Sequence, residues 1–91
     1  MTRSQYTAET IAGCKNYVRE NARLSYLEGR CVGTIAGLGE AAEDICEPEE
    51  VSLDQEILVV VKYIEDRPQR MHERFSKLAY EAMKAAWPCK P

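Results

Sequence analysis

Four cysteines spread over a chain of only 91 residues restrict the fold more than any other feature of the sequence. A chain this short buries a smaller share of its surface than a longer one, and the shortfall is commonly met by cross-links, bound metal or assembly. Cys14, Cys31, Cys46 and Cys89 never stand in C-x-x-C spacing, and the single histidine, His72, lies far in sequence from all but Cys89. Structural zinc sites bring their ligands in close pairs, so this scatter argues against metal and for two disulfides. Disulfides persist where the surroundings oxidise: periplasm, cell surface or outside the cell. The reading set against this one is four buried free thiols in a cytosolic protein.

Composition narrows the class further. With 45% hydrophobic and 30% charged residues, the chain is that of a folded domain despite a formal net charge of -3. An acidic balance without clustered Lys and Arg, and without aromatics interleaved on a basic stripe, excludes nucleic acid as the expected partner. The opening MTRSQYTAET has no basic head followed by an apolar run, so the oxidising-compartment reading expects a leader removed ahead of it. The run ILVVV at 57–61 stops at Lys62, too short to cross a bilayer, and no membrane association is expected.

Hydrophobic periodicity is helical throughout, with no strand alternation. The pattern predicts a helix from about Ala8 to Ala22, with Ile11, Cys14 and Val18 on its inner face. A second helix, from about Arg23 to Ile45, carries Leu24, Leu27, Cys31, Leu38 and Ile45 in a near-heptad row, with an expected break near Gly37–Gly39. Pro48 bars continuation, and Ser52 three residues before Gln55 reads as a capping box that opens a third helix, about Leu53 to Asp66. Its apolar face is Leu53, Ile57, Leu58, Val61 and Ile64, widened by Val59 and Val60. Pro68 ends it, and a fourth helix, about Gln69 to Trp87, follows with Met71, Phe75, Leu78, Ala79, Ala82, Met83 and Ala86 inward. The expected fold is all-α: a small single-domain bundle of four to five helices over residues 1–91, with residues 1–6 flexible, tied by two disulfides.

Of the three connectivities that four cysteines allow, antiparallel packing of the first two helices favours Cys14 with Cys31, leaving Cys46 with Cys89. In the chain-entropy treatment such loops contribute about 3 and about 4 kcal/mol, comparable to the whole stability of a small domain. Gly29, Gly33 and Gly37 lie four apart, along one side of the second helix. They are expected to form a smooth groove for close helix packing, which would let short cysteine side chains meet.

Several motifs in order carry a resemblance: C-x-G-x-I-x-G at Cys31, Gly33, Ile35 and Gly37; C-x-P-x-x-V-S-x-x-Q from Cys46 to Gln55; VVVKYI from Val59 to Ile64 with Pro68 beyond; and WPC at Trp87–Cys89. The chain resembles the Rap/Tai family, immunity proteins against bacterial type VI secretion amidase effectors, over about Cys14 to Cys89. It departs from the family pattern at Thr34, where an aromatic is usual, and at Glu73, Arg74 and Phe75, where small residues or proline are usual. The resemblance implies a periplasmic, disulfide-bonded helical protein, often dimeric, that binds a cognate peptidoglycan amidase and blocks its active-site cleft.

The residues themselves offer little to an enzyme. With one histidine and every cysteine assigned to a disulfide, no nucleophile, base and orienting group can be assembled, and no cofactor or metal is expected. Glu43 with Glu47 is a carboxylate pair on a polar helix face, where solvation is the ordinary outcome. Inhibitory binding is the expected role, with two candidate surfaces. Glu47, Glu49, Glu50 and Asp54 would meet a basic cleft, whereas Arg67, Arg70 and Arg74 would suit an acidic target. The alternative function is a periplasmic stress or chaperone-like helical protein that opens to expose its apolar face, with its carboxylates as the acid trigger.

Overall fold

The computed structural model describes residues 3–20 and 26–90, with side chains placed from Thr7 to Arg19 in the first segment. Four helices run in order: α1 (Arg3–Glu20), α2 (Tyr26–Ala41), α3 (Leu53–Glu65) and α4 (Phe75–Ala86), with a 3₁₀ turn at Pro68–Arg70 before α4. The expected end of the first helix at Ala22, the start of the second at Arg23, and Leu24 lie outside the described residues. The all-α bundle expected from periodicity is the fold observed, and both disulfides join the cysteines that spacing paired.

The α1–α2 pair is built around Cys14–Cys31, whose Cα atoms stand 5.4 Å apart. Both cysteines are fully buried, with Ile11 and Ile35 beside them in the core. The close approach that this bridge requires is supplied by a glycine, but by Gly13 on α1. A Cβ there would lie 2.6 Å from the Leu27 carbonyl carbon and 2.9 Å from the Glu28 nitrogen of α2. At Gly29, Gly33 and Gly37 a Cβ would meet nothing within 4 Å among the described residues, which corrects the close-packing role expected of that row. The physical reason is angular. Cys31 and Ile35 point into the core from α2, so residues two positions away on a helix of 3.6 residues per turn face largely outward. Nor do the glycines break α2, which runs through Gly37 and Gly39 and stops at Ala41, short of the expected Ile45.

Ser52 begins α3 as expected, its hydroxyl accepting the Gln55 N–H at 3.1 Å in extended backbone geometry. Ile57, Val60, Val61 and Ile64 then face the core. Leu58 does not: at 53% exposure it lies on the outer side, so the apolar face of α3 is narrower than its composition suggests. The last helix starts at Phe75 rather than Gln69. Pro68 opens the 3₁₀ turn, and the chain crosses residues 71–73 as a turn before Arg74 adopts the extended geometry of an N-cap. Thr7 of α1 seals this turn by donating to the Glu73 carbonyl at 2.6 Å. Phe75, Leu78, Ala79, Ala82 and Met83 of α4 complete the core, while Ala86 is exposed.

Candidate partner-binding surface

The segment between α2 and α3 is short, acidic and held at both ends. Ile45 pairs with Pro88 as an isolated antiparallel bridge, and the Cys46 N–H donates to the Trp87 carbonyl at 2.8 Å. The Cys46–Cys89 disulfide, Cα atoms 4.9 Å apart, makes that junction covalent. Asp44 just before it accepts a hydrogen bond from the Tyr80 hydroxyl and pairs with Lys84 at 3.4 Å. The Tyr80 hydrogen bond holds the Asp44 carboxyl below its ordinary range, and Asp44 in turn raises the tyrosine. At the far end Ser52 caps α3, and within the loop the Val51 N–H reaches the Pro48 carbonyl at 3.2 Å.

Of the four carboxylates predicted here, three are presented outward. Glu49, Glu50 and Asp54 are exposed and make no ion pair among the described residues. Glu47 turns inward to Glu56, the two carboxyls flanking Gly39, rather than pairing with Glu43. Glu56 is only 6% exposed. Its burial, first, and the Glu47 carboxylate, second, push its pKa up to about 8. Glu47 Oε2 is buried with no hydrogen-bond partner among the described residues. Gly39 of α2 leaves room for the pair, since a Cβ there would lie 2.9 Å from Glu56 Oε2 and 3.5 Å from Glu47 Oε1.

The basic candidates sit at the other end of α3 and are largely consumed inside the molecule. Arg70 is clamped between Glu73 (2.7 and 2.8 Å) and Glu81 (2.8 and 3.0 Å), and Tyr63 donates to Glu81 at 3.1 Å. Charge-assisted forks of this kind are the strong class of hydrogen bond. The Arg70 guanidinium holds the Glu73 carboxyl down at about 2 and lowers Glu81, and the two carboxylates raise Arg70. Arg67 donates to the Tyr63 carbonyl at 2.9 Å and lies 3.7 Å over that tyrosine ring. Arg74 alone of the three has no such partner and is exposed. The two candidate surfaces therefore do not merge. A helix of 13 residues, about 20 Å long at 1.5 Å per residue, separates them.

One residue that matters here escaped the sequence reading. Glu56 had a signal: it stands four residues before Val60 and eight before Ile64, the buried row of α3, so a carboxylate occupied a core position. Arg70 was expected to face an acidic target; Glu73 stands only three residues on, but Glu81 reaches the guanidinium only once the 3₁₀ turn folds against α4.

What these features define is a helical domain with disulfide staples and an acidic loop, fixed at both ends, whose Glu49 and Glu50 are exposed and in no ion pair among the described residues. The family model for Rap1a immunity proteins matches residues 5–89. The chain belongs to the Rap1a immunity protein family. No curated protein and no solved structure gives a significant match. Two disulfides and membership of an immunity family are consistent with an extracytoplasmic protein. No helix among the described residues is long and apolar enough to cross a membrane.

Proposed function

We propose that this protein is a periplasmic immunity protein that binds and inhibits a peptidoglycan amidase effector of type VI secretion. The contact is the acidic loop rather than the arginine-rich turn. The observation that carries this choice is the difference in how the two charge sets are spent. Among the described residues Glu49, Glu50 and Asp54 make no ion pair, whereas Arg70 is neutralised by two carboxylates of its own chain. A charge already paired within the protein must be stripped of its partner before it can serve another molecule, and that cost falls on binding.

The loop suits a plug. Anchored by Cys46–Cys89 at one end and by the Ser52 cap at the other, it loses little conformational freedom on entering a cleft. Its carboxylates steer it toward a basic cleft and fix its register more than they add affinity. The chaperone-like alternative requires the bundle to open. The buried Cys14–Cys31 staple between α1 and α2 stands against that.

The test is to titrate the co-encoded amidase with wild type and with Glu49→Lys/Glu50→Lys. Tight stoichiometric inhibition that the double variant weakens at least tenfold, and that salt weakens in the wild type, supports the assignment. Equal affinity of the double variant would move the contact away from this loop. Absence of any complex would remove the inhibitor reading.

A further inference from the structure

We propose that the Glu47–Glu56 carboxyl pair is a proton-operated latch that pins the acidic loop to α3, and that ionisation of both carboxyls frees the loop. The geometry makes this contact decisive for the loop. Among the described residues, the one internal backbone bond between the disulfide at Cys46 and the cap at Ser52 is Val51 N–H to Pro48, which ties the loop only to itself. The Glu47 side chain is, among the described residues, a polar contact that joins this stretch to the helices, through Glu56 in the first turn of α3.

Two carboxylates in contact and out of water cannot both be ionised at small cost, so the closed pair holds one proton between them. The space at Gly39 of α2 that the two carboxyls border is bordered also by Met83 of α4, and neither of these residues titrates. In the loop, Asp44 is engaged by Tyr80 and Lys84, which keeps that lysine occupied. Glu47 is the charge that acts on Glu56, and no cation among the described residues pairs with either carboxyl. The orphaned Glu47 Oε2 points the same way, because a buried carboxylate oxygen without a donor favours the state in which the pair carries less charge.

Removal of the shared proton sets like charges against each other at contact distance. The backbone of α3 is fixed by its cap and its core residues, so the loop is the part that yields. Released, Glu47 joins Glu49 and Glu50 in solvent, and the loop gains both charge and freedom. For partner binding, a consequence that rests on the function proposed above, affinity falls on the alkaline side because the loop must then be ordered again.

The experiment uses the isolated protein, so a failed latch and a failed immunity assignment are read separately. Carboxyl-carbon NMR of Glu47 and Glu56 is followed from about pH 4 to about pH 10, together with hydrogen-exchange protection of the Val51 amide. We expect Glu56 to titrate above neutrality, with Val51 protection falling about tenfold or more over the same range. In Glu56→Gln, whose amide replaces the shared proton, protection stays constant. Glu47→Gln does the same from the loop side and serves if the first variant fails to fold. Ordinary titration of Glu56 near 4.5, pH-independent protection in wild type, or the same loss of protection in the Gln variant would each overturn the proposal.

Discussion

Adding one methyl group at Gly13 and one at Gly33 should move stability in opposite directions. In Gly13→Ala the new Cβ stands 2.6 Å from the Leu27 carbonyl carbon and 2.7 Å from its oxygen. Carbon atoms normally rest about 3.5–4.0 Å apart, so the overlap is about 1 Å. The obstacle is backbone and cannot rotate aside. Helix α1 must back away from α2 beside Cys14–Cys31, where the bridge resists separation. Overpacking of this kind costs about 1–3 kcal/mol, and we expect the upper end, offset by about 1 kcal/mol of improved helix propensity. The net loss is roughly 2 kcal/mol, which for a chain of this size lowers Tm by about 8–16 °C. At Gly33 the methyl enters open space and only the propensity gain remains, about 1 kcal/mol or less, raising Tm by several degrees. Gly29→Ala and Gly37→Ala should behave alike, and Gly33→Leu should be tolerated. Far-UV circular dichroism of thermal and urea unfolding under non-reducing conditions measures all of these. A Gly13→Ala variant as stable as wild type, or a Gly33→Ala variant less stable, would refute the packing scheme.

Three other outcomes are expected. Glu56 is raised in the folded protein from 4.5 to about 8, so its contribution to stability is complete below about pH 4.5 and is lost as pH rises through about 8, a swing of at most roughly 5 kcal/mol. Glu56→Gln should therefore match wild type near pH 4 and exceed it at pH 8 in urea unfolding; an equal difference at both would show that the carboxyl does not hold a proton. Arg70→Ala should lower Tm at neutral pH more than Lys77→Ala does, because Arg70 serves two carboxylates and Lys77 one. Since Glu73 is depressed, that Arg70 contribution is present above pH 4.5 and fades as pH falls toward about 2, which a pH series of thermal melts checks. Finally, Cys46 and Cys89 are exposed while Cys14 and Cys31 are fully buried, so a small dithiol should open Cys46–Cys89 first, as read by alkylation and mass spectrometry. Simultaneous opening would contradict the burial.

Much of this protein is written in local pattern. The periods of Phe75, Leu78, Ala79, Ala82 and Met83, and of Ile57, Val60, Val61 and Ile64, define helices because each side chain repeats on one face whatever it meets there. The Ser52 cap is readable for the same reason: its hydroxyl serves an N–H three residues away. Cysteine spacing and helix order sufficed for the disulfides, and the motif series from Cys31 to Cys89 carried the family. What spacing cannot contain is which helix face meets which neighbour. Gly13 and the row from Gly29 to Gly37 look equally suited to close packing. Only the rotation of α2, set when Cys31 and Ile35 turn inward, puts a backbone against the first and solvent against the others. Charge follows the same division. Glu47 and Arg70 read as surface residues until the folded chain brings Glu56 to one and Glu73 with Glu81 to the other. Periodicity and caps are local and travel with the sequence. Proximity between distant residues is a property of the packed whole, and here it decides which carboxylates are left to meet a partner.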